Sequence, residues 1–126
     1  SLEAEAGRVD EARAAFDAIA ADGSLPGAFR DVARLRGGYL ALDAQDFDAA
    51  TQRLKELVDE GNAWRFLAQE GLALAAWKSG NLEQAREWAN GIIEGEGAAS
   101  DIVSRAGTLV ELLNAVEGTP NKEADS

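Results

Sequence analysis

One five-residue phrase is written three times along this chain of 126 residues: RVDEA at Arg8–Ala12, DFDAA at Asp46–Ala50 and NLEQA at Asn81–Ala85. Each copy runs polar, apolar, acidic, variable, alanine, and the starts lie 38 and then 35 residues apart. A period of this length with two helices per unit marks an array of helical hairpins, each burying its apolar face against the next. The phrase has the chemistry of a helix start. Asp46 and Asn81 are good N-caps, because their side-chain oxygens accept from the free amides of a first turn. Gln84, three residues after Asn81, allows a capping-box return bond. Asp10, Glu11, Asp48 and Glu83 fall where the helix dipole favours an acid. Arg8 caps poorly, so the first copy is the weakest, yet the reading places all three at a joint where one helix has just ended.

Apolar spacing agrees with helix throughout. Stripes run through Phe47, Ala50, Leu54 and Leu57, through Trp64, Leu67, Ala68, Leu72 and Ala75, and through Leu82, Ala85, Ala89 and Ile92. A last one joins Ile102, Ala106, Leu109, Leu113 and Val116, flanked by Val103 and Val110. The only prolines, Pro26 and Pro120, lie between periodic segments. Six helices are predicted near residues 8–21, 27–43, 47–60, 63–79, 82–94 and 98–117, with short connections that make sequential helices antiparallel. They form one domain over 1–117. The polar, aperiodic tail 118–126 (GTPNKEADS) is expected to be disordered. Gly37–Gly38 inside a helix costs about 1 kcal/mol per glycine relative to alanine, so a close helix approach is expected there. Trp64 and Trp88 read as core or half-core residues.

Several function classes are disfavoured. With no cysteine and no histidine, disulfides, ordinary zinc sites and imidazole or thiol catalysis drop out. The net charge of −11 repels phosphate backbones and anionic lipid, so neither nucleic acid nor a membrane surface is an expected partner. Carboxylate pairs such as Glu83/Glu87 fall on an exposed face, and no nucleophile and base converge. No enzyme activity, cofactor, metal or small-molecule substrate is therefore expected. The G-x-G-x-x-S within Gly91–Ser100 follows no strand and reads as a helix connection. The longest apolar run, Gly71–Trp77, is far short of the roughly 20 residues a bilayer span needs and reads as the middle of a buried helix. A chain that opens SLEAEAG and holds no methionine reads as a fragment or processed form of a longer product.

The repeated joint resembles the second half of a tetratricopeptide repeat. The A-x3-F element stands as Ala12 to Phe16 and, with substitutions, as Ala50 to Leu54 and Ala85 to Ala89. Gly80 matches the glycine that ends the first helix of a repeat, Gly7 matches it in the first copy, and Gln45 replaces it in the second. The first-helix signature is eroded, falling on Arg34, Gly37, Gly38 and Ala41, then on Gln69, Leu72, Ala73 and Ala76. The resemblance implies antiparallel hairpins stacked as a short right-handed superhelix, with a truncated repeat at 7–22, repeats at 27–60 and 63–94, and a final helix at 98–117. More narrowly, Phe29–Leu42 and Trp64–Trp88 are similar to the divergent domains of bacterial single-span membrane proteins related to the ancillary subunit of the Sec translocon.

That likeness implies a non-catalytic protein-binding or scaffold module on the periplasmic side of the inner membrane, anchored by a missing N-terminal span. Its partner would be another protein or a peptide segment. The inner wall of such a stack falls on Leu35, Arg36, Tyr39, Leu42 and Asp43, on Glu70, Leu74, Trp77 and Lys78, and on Arg105 and Leu109. These residues form an apolar strip edged by charge, suited to an amphipathic or extended peptide. The alternative is that they pack only on one another or on the final helix. The basic group Arg30, Arg34 and Arg36 is expected to pair with Asp31 and Asp43. A second function is self-association as a homodimer, through the apolar face of 102–116 or the face around Val9 and Phe16; an enzyme is the remote third.

Overall fold

The structure, a computed structural model, describes the backbone of residues 1–125 and the side chains of residues 1–117. Six α-helices account for the described chain, without a strand: α1 Leu2–Ala21, α2 Gly27–Asp43, α3 Phe47–Lys55, α4 Arg65–Lys78, α5 Leu82–Glu94 and α6 Ser100–Asp125. Each packs on its neighbours in sequence order. Beyond that, α2 touches α4 and α4 touches α6, whereas the odd-numbered helices make no close backbone approach to one another.

The second and third copies of the phrase build the same joint, with the cap residue alike to within a degree. Asp46 sits at φ −92°, ψ 78° and Asn81 at φ −92°, ψ 79°. Before each, the chain turns through a left-handed residue, Gln45 at φ 63° and Gly80 at φ 89°. The amide of Asp46 donates to the Ala41 carbonyl at 2.9 Å and that of Asn81 to Ala76 at 2.8 Å. Gln45 and Gly80 donate to Leu42 and Trp77, each at 3.0 Å. This paired pattern closes a helix end by satisfying its orphan carbonyls. The caps then open the next helix, Asp46 accepting from the Ala49 amide and Asn81 from Gln84. In return the Asn81 side-chain amide donates to the Gln84 Oε1 at 3.1 Å. That oxygen does not reach the Asn81 backbone N–H, which is already given to Ala76.

The first copy makes no joint. Helix α1 begins at Leu2, with the Ser1 hydroxyl capping it, and passes through Gly7 and Arg8 unbroken. Nothing lies near enough to Gly7 to require a glycine there. Without a capping side chain or a left-handed turn, RVDEA is only a stretch of helix. Helix α3 ends at Lys55, five residues before the expected 60, because the Leu57 amide folds back on the Leu54 carbonyl and buries Leu57. The Asn62 side chain accepts from the Trp64 amide, which delays α4 to Arg65. At the far end the backbone continues α6 to Asp125, past the Gly118 boundary. Ser126, and the side chains of the tail expected to be disordered, lie outside the described residues.

The core is built mainly from leucine and alanine in α2 to α6. Leu54, Leu57, Leu72, Ile92 and Leu113 are its largest fully buried side chains. Trp64 and Trp88 are half-buried against the cluster of Leu54, Leu57, Ala68 and Leu72. Helix α1 buries no residue fully. Half-buried Val9, Ala12 and Phe16 and a set of polar contacts hold it: Arg13 pairs with the cap Asp46 at 2.8 Å and Arg53 grips Asp17 through two bonds of 2.6 and 2.8 Å. Arg30 and Arg34 both reach the Ala20 carbonyl at the end of α1, and Arg34 also pairs with Asp31.

Candidate functional site

Two seams join the hairpins, α2 against α4 and α4 against α6. Because the joints at Asp46 and Asn81 are superposable in register, each residue of the first hairpin has a counterpart 35 positions on. The first seam is full. Leu54 drives its side chain into the space left by Gly38 and Gly71, where an added Cβ would lie only 2.6 Å from its methyls. Tyr39 lies beside it, 3.2 Å from where a Cβ on Gly71 would be, and its hydroxyl donates to the Leu67 carbonyl at 2.7 Å. Burial pushes the phenol above its ordinary value of 10, and the nearby Glu70 carboxylate pushes the same way. Of the pair predicted to allow close approach, Gly38 does so, whereas a Cβ on Gly37 would come no nearer than 3.4 Å to Phe16; Gly71 was not foreseen.

The second seam is not filled. The counterparts of Leu54 and Tyr39 are Ala89 and Leu74, both smaller. The counterparts of Gly38 and Gly71 are Ala73 and Ala106. What remains is a cavity of about 240 Å³ between α4, α5 and α6, walled almost wholly by apolar atoms. Leu74, Trp77, Ala89, Ile92, Leu109 and Leu112 give it most of that character. One edge is closed by a fork of charge. Arg105 donates to both Glu70 oxygens at 2.7 and 3.0 Å and reaches Asp101 at 3.4 Å. The Glu70 side chain is 13% exposed and that of Arg105 50%. The paired carboxylate favours the charged guanidinium and raises its pKa further. An apolar hole beside a fixed charge pair can take a hydrophobic side chain and orient the chain that carries it.

Of the residues predicted to line the inner wall, Glu70, Leu74, Trp77, Arg105 and Leu109 meet in this cavity. Leu42 is instead core, packed with Ala41, Ala50 and Ala75. Leu35 packs against Leu54, Leu57, Ala68 and Leu72. Tyr39 has its hydroxyl committed within the fold. Arg36 and Asp43 border a separate shallow trough with Phe16, Tyr39 and Leu40. Lys78 is exposed at the end of α4, outside the cavity. Missed as lining residues were Ala73, Ala89, Ile92, Ala106, Thr108 and Leu112. Their signal was present in the decay of A-x3-F to Ala85–Ala89, which reads as a lost aromatic and is, in space, a hole.

The apolar face of α6 is largely consumed. Ile102, Val103, Ala106, Leu109, Val110 and Leu113 pack on the α4–α5 hairpin, leaving Leu112 and Val116 about half exposed. Among the described residues, no group of three or more acidic side chains is placed to hold a metal ion, and no helix is long and apolar enough to cross a membrane. No protein-family model, no curated protein and no solved structure matches this chain.

Proposed function

We propose that this chain is a non-catalytic protein-interaction module of tetratricopeptide-like build, and that the α4–α6 cavity receives a large apolar side chain from a partner peptide. The observation that carries the reading is the unfilled seam. Two bulky side chains that plug the first seam are replaced by Ala89 and Leu74 in the second, leaving a hole rimmed by the Glu70–Arg105 fork. Apolar cavities of this size cost stability unless something occupies them. The tetratricopeptide-like part of the reading rests on the resemblance carried by Ala12–Phe16, Ala50–Leu54 and Ala85–Ala89. A periplasmic, membrane-anchored parent remains part of the proposal and rests on the resemblance of Phe29–Leu42 and Trp64–Trp88.

A display library of amphipathic peptides, selected on the wild-type chain, tests the cavity. Selected peptides should lose at least tenfold in affinity for Leu74→Phe, which fills the hole, and for Trp77→Ala, which removes a wall. Circular dichroism should show both variants folded. Peptides that bind the filled variant as well as the wild type would refute the site.

A further inference from the structure

The first seam is completed by an aromatic ring, and the second lacks one at the same place. Tyr39 and Leu54 fill the space between the first two hairpins, and 35 positions on stand Leu74 and Ala89. An apolar cavity of about 150 Å³ stays dry and takes benzene. The cavity between α4, α5 and α6, of about 240 Å³ and half enclosed, has room for a ring and the methylene that carries it. A leucine side chain, smaller than that, would leave more of it empty. The Trp77 indole in the wall gives an incoming ring an aromatic neighbour, a contact that adds to the area buried.

The polar groups at the border of the cavity are already committed. Arg105 spends Nε and Nη2 on the Glu70 carboxylate and Nη1 on Asp101. The Thr108 hydroxyl donates to the Ser104 carbonyl at 3.2 Å. Almost no polar surface faces the interior. In the first seam a phenol is accommodated because its hydroxyl donates to the Leu67 carbonyl. The counterpart of Leu67 is Ile102, which does not line the cavity. A hydroxyl or an indole N–H carried into this space would give up its water without gaining a partner, and that is costly.

We propose, resting on the reading of this cavity as a peptide site, that it selects a hydrocarbon ring bearing no polar atom. The ring is that of a phenylalanine on a partner, or of a free alkylbenzene, and tyrosine and tryptophan are rejected. The missing acceptor at the far end makes the choice between Phe and Tyr, and the size of the cavity makes the choice between Phe and Leu.

The test is an NMR titration of the full chain with toluene and p-cresol, which differ only by the hydroxyl, following the methyl groups of Leu74, Ile92 and Leu109. Saturable binding of toluene is expected, with p-cresol at least tenfold weaker. Leu74→Phe and Ala89→Leu, which fill the cavity from two different helices, should each abolish the toluene shifts while circular dichroism shows a folded chain. A peptide arm separates a protein-borne ring from a free one: in peptides selected on the wild-type chain, exchange of the anchoring Phe for Tyr should cost at least tenfold in affinity. Absence of saturable toluene binding, or p-cresol binding as tightly as toluene, overturns the proposal. Selected peptides that anchor through Tyr or Trp and still lose affinity in Leu74→Phe also overturn it, while leaving the peptide site itself standing. Peptides indifferent to Leu74→Phe remove the peptide site as well.

Discussion

The α2–α3 and α4–α5 hairpins end their first helices with the same hydrogen bonds and start their second with the same cap, yet one seam is solid and the other hollow. The difference lies in four positions. Leu54 and Tyr39 fill the first seam, and Gly38 and Gly71 make room for them. Ala89 and Leu74 stand at the matching places in the second, where Ala73 and Ala106 carry the methyl groups that the glycines lack. A backbone joint therefore fixes where a hairpin turns and leaves open what the next hairpin meets. Conserving the joint while shrinking the plug is a way to make a pocket without disturbing the stack.

The comparison can be broken at its plug. Leu54→Ala should cost about 2–5 kcal/mol, because a fully buried leucine at a seam leaves a cavity that rigid neighbours cannot close. Leu74→Ala enlarges an existing hole and should cost clearly less, as denaturant midpoints at unchanged m would show. The glycine and alanine exchange comes next. Gly38→Ala should destabilise by about 1–3 kcal/mol through the clash with Leu54, in spite of alanine's better helix propensity. At the matching site, Ala73→Gly should cost about 1–2 kcal/mol, from helix propensity and the loss of one buried methyl, with no clash to relieve.

Tyr39→Phe removes one buried hydrogen bond and should cost about 1 kcal/mol. Tyr39 is the sole tyrosine, so the phenolate absorbance reports it directly. A raised phenol pKa means the folded chain keeps its proton longer than the unfolded one. The stability it lends is complete below pH 10 and is lost as pH climbs above that towards the raised value. At pH 11 the folded protein should show little phenolate and the unfolded protein nearly full ionisation.

The smallest effect sharpens the likeness of the joints. Gln45 holds a left-handed backbone that glycine adopts freely, so Gln45→Gly should stabilise by about 1 kcal/mol, seen as a rise in Tm. Gly80→Gln should lose a similar amount.

How much of this was legible varies with the kind of signal. The joints at Asp46 and Asn81 were readable because caps act within a few residues of themselves. RVDEA misled because a shared letter pattern lacks force without a capping side chain; Arg8 was the warning. The early end of α3 was hidden because burial of Leu57 against Ala68 and Leu72, a tertiary event, set it. Five of the eleven residues predicted for the inner wall, Glu70, Leu74, Trp77, Arg105 and Leu109, came together at one cavity. Leu35, Tyr39 and Leu42 did not, because they were taken into the packing of the first hairpin, with Tyr39 turned inward to bond Leu67.

What the sequence determined on its own was local and periodic: six helices, the places where two of them hand over to the next, and the faces that must be buried. Those follow from spacing, caps and turn chemistry, whose reach is a few residues. Only the tertiary structure decided which seam closed and which stayed hollow. That depends on the volume meeting a side chain from another hairpin, and no stretch of sequence holds both partners of that contact.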